Sequence, residues 1–200
     1  MKVEGVEDLH VSGSVKLRGP AKFGRISVSG SVKIEGDGVG EEFSVSGSGK
    51  VEGSLDVEEL SVSGSMKINE DLKCERLDVS GAIKVGGEVK GGDIEVSGTI
   101  KAKNVVAGSF VLSGAAAAEE IVAGKVDIGR KSRVRGTIIG GKVRIRKKAE
   151  AEVVEGIEVK VERGAEVDEV RYVEKAEIDE EADVGKVEKI ERLSKEIPGS

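Results

Sequence analysis

VSGSVKIEG (Val28–Gly36) and VSGSGKVEG (Val45–Gly53) are two copies of one element set 17 residues apart. Its leading Val-Ser-Gly begins at Val11, Val28, Val45, Val62, Val79 and Val96 without a slip, and Leu112-Ser113-Gly114 follows one residue early. A period this short is too small for a domain and fits one coil of a solenoid. A solenoid offers a long lateral surface and two ends. An end that leaves strand N–H and C=O groups unpaired invites self-assembly.

Within a coil numbered from its Val, apolar residues recur at positions 1, 5, 7, 11, 13 and 16; the fourth copy places Val62, Met66, Ile68, Leu72, Cys74 and Leu77 there, followed by Val79. A spacing of two puts both members of a pair on one face of a strand. Three pairs per coil (5/7, 11/13 and 16/1) predict three strands around a triangular section, with Gly at the position-3 corner. Helix is disfavoured, because each interior Gly costs about 1 kcal/mol relative to Ala. The second copy carries Gly38 and Gly40 at inward positions with Val39 between them. A bulge or irregular corner is expected there.

After Leu112 the signature fades but the period persists: Ile128, Ile145, Val161 and Ile178 stand 17, 16 and 17 residues apart, followed by Ser132/Val134, Ala149/Ala151, Ala165/Val167 and Ala182/Val184. The expectation is an all-β, single-stranded parallel β-helix of about ten to eleven coils, on the order of 50 Å long at strand spacing. It forms one domain over residues 1–197, with regular repeats over 1–111 and divergent coils over 112–197. Val187, Ile190, Leu193 and Ile197 either extend a last strand or form an amphipathic helical cap.

Composition agrees with a thin core. The chain has no Trp, one Tyr and three Phe, and β-branched side chains suffice for a narrow tube. Charges are plentiful and mixed, with a formal net charge of -6, which favours solubility over general nucleic-acid affinity. Cys74 is the one cysteine, so no disulfide framework is implied. It falls at an inward position, as a small apolar group would. MKVEGVEDLH lacks the apolar run of a signal peptide. The uncharged stretch from Asn104 to Ala118 is shorter than the about 20 residues a spanning helix needs. A cytoplasmic protein without direct membrane binding is expected.

Several constellations bear on function. Lys16, Lys33, Lys50, Lys67, Lys84 and Lys101 form a column at position 6. It is either an anion-binding or filament-bundling stripe or a solvated face that discourages sideways pairing. Ser residues bracketing the corner Gly are explained by turn chemistry, and no base accompanies them for nucleophilic catalysis. Ile128–Arg133 loosely echoes the hexapeptide repeat of acyltransferases, but His10, the single histidine, lies in the first incomplete coil. Coils of minimal length leave no pocket walls, so no enzyme, cofactor or metal is expected. From Lys125 to Lys148 there are ten Lys/Arg and one acid, Asp127. Within this band Arg133, Arg135, Arg144 and Arg146 are the candidate anion contacts; without aromatics to stack bases, nucleic acid is not the expected partner.

The elements VSGSVKIEG and VSGSGKVEG, with GGKVRIR (Gly140–Arg146) and AEVVEGIEVKVERG (Ala151–Gly164), resemble the bactofilins, and in particular the polymer-forming cytoskeletal proteins. The resemblance spans nearly the whole chain. It implies a β-helix that joins end to end into filaments without nucleotide or catalytic residues, scaffolding envelope or motility proteins. MKVEGVEDLH lacks the short apolar membrane motif that many members carry. The end coils then supply the candidate assembly residues: Val3, Val6, Leu9 and Val11 at one end, and Val184, Val187 and Ile190 at the other. The alternative is a monomeric or dimeric module presenting the Lys column or basic band to an anionic partner.

Overall fold

The computed structural model describes residues 6–198, and of Val6 only the backbone. The described residues contain eighteen β-strands and no helix. The strands pair in parallel and form a β-solenoid of about 11 turns, about 17 residues apart. The chain divides into two units: residues 1–92 with 98–103, and residues 93–97 with 104–200.

In the first unit a coil consists of a short strand and a long one. β8 (Ser65–Ile68) and β9 (Leu72–Val79) illustrate it. Met66, Ile68, Leu72, Cys74, Leu77 and Val79 are all buried, while Lys67 and Lys84 are exposed. The three expected inward pairs are therefore present, but two of them share one strand. At the corner Glu75 and Arg76 both face outward, and a two-residue outward step bends the chain without interrupting the ladder to β7 (Leu55–Val62).

The Gly of Val-Ser-Gly is required by close approach. A Cβ at Gly64 would stand 2.0 Å from the carbonyl oxygen of Gly47, and Gly30, Gly47, Gly81 and Gly98 repeat the relationship. Each of these corner carbonyls accepts the N–H of the residue after the next coil's Gly, as Gly47 does from Ser65 at 2.9 Å. The corners thus continue the ladder, at a spacing that leaves no room for a side chain.

The bulge expected at Gly38 and Gly40 does not occur. β5 (Gly38–Val45) keeps unbroken register with β3 (Ala21–Val28) and β7. The inward space is filled from the neighbouring coils instead. A Cβ at Gly40 would lie 2.2 Å from Phe23 Cε2, and one at Gly38 would lie 2.8 Å from Leu55 Cδ1. Phe23 meets Phe43 edge to face, with centroids 5.6 Å apart. Val39 points outward and is exposed.

In the second unit, between the shorter β13 (Asn104–Leu112) and β18 (Asp183–Lys189), single long strands wrap most of a coil: β14 (Ala115–Ile128), β15 (Arg133–Ile145), β16 (Glu150–Val161) and β17 (Glu166–Ile178). The sequence period drifts here, and corners absorb the drift. Ala117 pairs with Arg135, 18 residues on, whereas Glu120 pairs with Thr137, 17 on. Tight turns separate successive strands, closed by small residues: Ala149 N–H donates to Arg146 O, Ala165 to Glu162 O and Ala182 to Asp179 O.

Residues 190–198 are neither a further strand nor a helix. They form a strap that runs back across the coils. The Ser194 N–H donates to the Glu155 carboxylate, Lys195 Nζ lies 3.3 Å from Glu120, and Ile197 Cδ1 lies over Gly141. Pro198 O lies 3.0 Å from where a Cβ at Gly124 would stand. An apolar outward column lies between these anchors. Val122 pairs with Ile139, and Ile139 with Glu155. Each alternates with inward neighbours and so faces outward, yet all three are buried.

Candidate functional site

The C-terminal coil loses cover abruptly. Val167 and Val170 on β17 are 3% and 0% exposed; their register partners on β18, Val184 and Val187, are half-buried and 48% exposed. Ile190, whose N–H donates to Tyr172 O, is also half-buried. β18 ladders onto β17, and among the described residues its far edge meets no further coil. The inward valines of this coil thus lack the layer that every earlier coil supplies.

At the other end Val3 lies outside the described residues. The Val6 backbone pairs with Phe23, Leu9 with Ile26 and Val11 with Val28. Leu9 is half-buried where Ile26 is fully buried, and Val11 is buried. Val15, inward by position, is only half-buried, whereas its partner Val32 is buried. The cause is the same: among the described residues this end coil has a neighbour on one side only.

The Lys column divides into two chemically different parts. Lys16, Lys33 and Lys50 are interleaved with Glu35 and Glu52: Lys16–Glu35 is 2.6 Å, Lys33–Glu35 3.1 Å, Lys33–Glu52 2.9 Å and Lys50–Glu52 3.1 Å. Hydrogen bonds from these ammonium groups hold both carboxyls below their ordinary range. Lys67, Lys84 and Lys101 are in register above one another. Asn69, Gly86 and Lys103 stand where the zipper has acids, and among the described residues these three lysines have no ion-pair partner. Three like charges at strand spacing repel one another, and a bound anion would relieve that repulsion.

The four band arginines do not converge. Arg133 makes a two-pronged contact with Glu150 at 2.5 and 2.8 Å, which depresses the Glu150 carboxyl and raises the guanidinium. Arg135 shares that open groove with Arg133, Glu152, Glu166 and Asp168. Arg144 binds Glu162 at 2.5 Å, and Arg146 clasps Asp127 at 2.7 and 2.6 Å. Those two line a different groove of about 420 Å³ with Lys125, Lys142, Lys160 and Lys175. There Glu177 is held down to about 2 by hydrogen bonds from Lys175 and Lys160. Three of these four arginines are thus spent on acids one coil away, a pairing that linear charge counting does not show.

Cys74 is buried, and desolvation pushes its thiol up to about 12. His10 lies exposed on β1 (Val6–Val11). Among the described residues no group of three or more His, Cys, Asp or Glu is arranged to hold a metal ion, and no helix is long and apolar enough to cross a membrane. The strap site went unread in the sequence, although a signal existed. The doublets Val105-Val106, Ile121-Val122 and Ile138-Ile139 place an apolar residue at an outward position in three successive coils, where earlier coils carry Lys22, Asp56 and Lys73 with the isolated Val39 among them. No protein-family model matches the chain, and no curated protein or solved structure matches it.

Proposed function

We propose that this protein is a non-enzymatic structural element that assembles with copies of itself through its end coils, as the bactofilin resemblance implies. The observation that carries the reading is the step from Val170, fully buried, to Val187, 48% exposed, one coil later. An uncapped parallel edge beside exposed apolar residues is stabilised by another β end. Such a polymer needs no nucleotide, because backbone pairing and apolar burial supply the contact. A cysteine kept as a buried thiol fits work in a reducing cytoplasm, and envelope or motility proteins are the clients the resemblance suggests. Negative-stain microscopy with sedimentation velocity tests the proposal. End-to-end rods or discrete dimers at physiological salt are expected, and a monomer at high concentration refutes it.

A second reading rests on Lys67, Lys84 and Lys101. This unpaired register of ammonium groups is suited to an anionic polymer or an acidic protein surface lying along the solenoid, and it is compatible with end-to-end assembly.

A further inference from the structure

The flank of the second unit holds a segment of its own chain as a binding site holds a ligand. Outward Val122 and Ile139 are 7% and 1% exposed, and Glu155 beside them is 2% exposed. A carboxylate this buried requires a donor. It receives the Ser194 backbone N–H, with Arg171 Nη1 at 3.9 Å on its other side. Gly124 and Gly141 leave the floor open where Pro198 and Ile197 approach. The recognition elements are therefore an apolar stripe, a floor without side chains, and one buried acceptor for a peptide N–H. They suit a short irregular peptide carrying apolar residues on either side of a free N–H.

We propose that this flank is a peptide-docking site, and that the strap of a second copy of the chain occupies it in exchange for the copy's own. The occupant follows from the ligand already seated, since every copy carries the same segment. The tether permits the exchange. Ile190 is the last residue bonded to the neighbouring coil, through Tyr172, and residues 191–193 are irregular. The four residues from Ile190 to Ser194 span about 13 Å when extended. Turned outward, that length carries Ser194 clear of its own coils and onto a neighbour. The strap already in place competes with an effective concentration on the order of millimolar. Exchange is therefore weak between dilute copies and strong between copies held together.

The exchange does not depend on end-to-end joining, and the test keeps the two apart. Two full-length variants are prepared, both also carrying Val187→Lys to weaken end contacts. In one the strap is spoiled by Ile197→Lys; in the other the site is spoiled by Ile139→Lys. Each is checked for native circular dichroism, then examined alone and mixed by sedimentation velocity at about 0.1 mM, well within reach of a displaced strap. The expected result is a species of twice the monomer mass in the mixture, absent from either variant alone. A mixture that behaves as the sum of its parts overturns the proposal. Should Ile139→Lys fail to fold, a labelled peptide of residues 190–198 is titrated into the Ile197→Lys chain. Saturable binding, weakened at least about tenfold by Ser194→Pro in the peptide, which removes the N–H donated to Glu155, supports the site. Binding indifferent to that Pro, or none at millimolar peptide, refutes it.

Discussion

The phenyl ring of Phe23 occupies the inward space of Gly40, one coil away: a Cβ built at Gly40 would lie 2.2 Å from the ring. One large and one absent side chain thus share a volume that two medium ones fill elsewhere, as at Val57 and Cys74. Gly40→Val should cost about 1–3 kcal/mol by overpacking, and Phe23→Ala about 3–5 kcal/mol by leaving a cavity. The double variant Phe23→Ala/Gly40→Val should recover much of the loss. Chemical denaturation of the four proteins measures the coupling, and strict additivity would show that the ring does not fill that space.

A corner Gly is tested against its own repeat. Gly64→Ala drives a methyl to 2.0 Å from Gly47 O, whereas Gly13→Ala, in the first coil, meets nothing within 4 Å. The first should destabilise by about 1–3 kcal/mol, and the second should stay within about 0.5 kcal/mol of wild type. Equal losses in thermal melts would assign the Gly a conformational role instead of a spatial one.

The end coil and its neighbour should respond differently to the same charge. Val187→Lys should shorten assemblies seen by microscopy while leaving the monomer folded. Val170→Lys should unfold the second unit, because Val170 is fully buried and a lysine there has no partner. Assemblies of unchanged length with Val187→Lys would remove the C-terminal edge from the assembly contact.

The two parts of the Lys column make a paired experiment. Retention on an anionic polymer should fall with salt, and replacing Lys67, Lys84 and Lys101 with Gln should reduce the log–log slope by about 2–3. Replacing Lys16, Lys33 and Lys50, already paired with Glu35 and Glu52, should change the slope by less. Reversing Arg133, Arg135, Arg144 and Arg146 should disturb stability more than retention, since three of the four hold acids of adjacent coils. An unchanged slope in the first triple variant would dismiss the column as a docking surface.

Cys74 gives a pH signature. Its thiol is raised from 9.0 to about 12 by desolvation first and by Asp56 second. The folded state therefore holds this proton over a range where the unfolded chain has lost it. Its contribution to stability is complete below about pH 9 and declines as pH rises toward 12. Cys74→Ala should lack this part of the alkaline decline in denaturation midpoints, and native wild type should resist thiol reagents until unfolded.

The phase of the coil was legible in the sequence because strand alternation is local: a residue's face follows from the parity of its position. Ile68, Leu77, Val79, Ile83 and Ile94 are buried as that parity requires, and the corner Gly recurs wherever backbone must meet backbone. What parity cannot convey is which distant groups share a volume or a charge. Phe23 filling Gly40, Glu35 and Glu52 neutralising one half of the Lys column, and Arg146 clasping Asp127 19 residues away all arise between coils. They depend on side-chain reach across the stack. The strap is the extreme case, for Ser194 and Glu155 are 39 residues apart, and no period links an irregular tail to a strand. Repetition alone determined the solenoid, whereas its exposed edge, its unpaired cations and its occupied flank were decided by which coils have neighbours and what those neighbours carry.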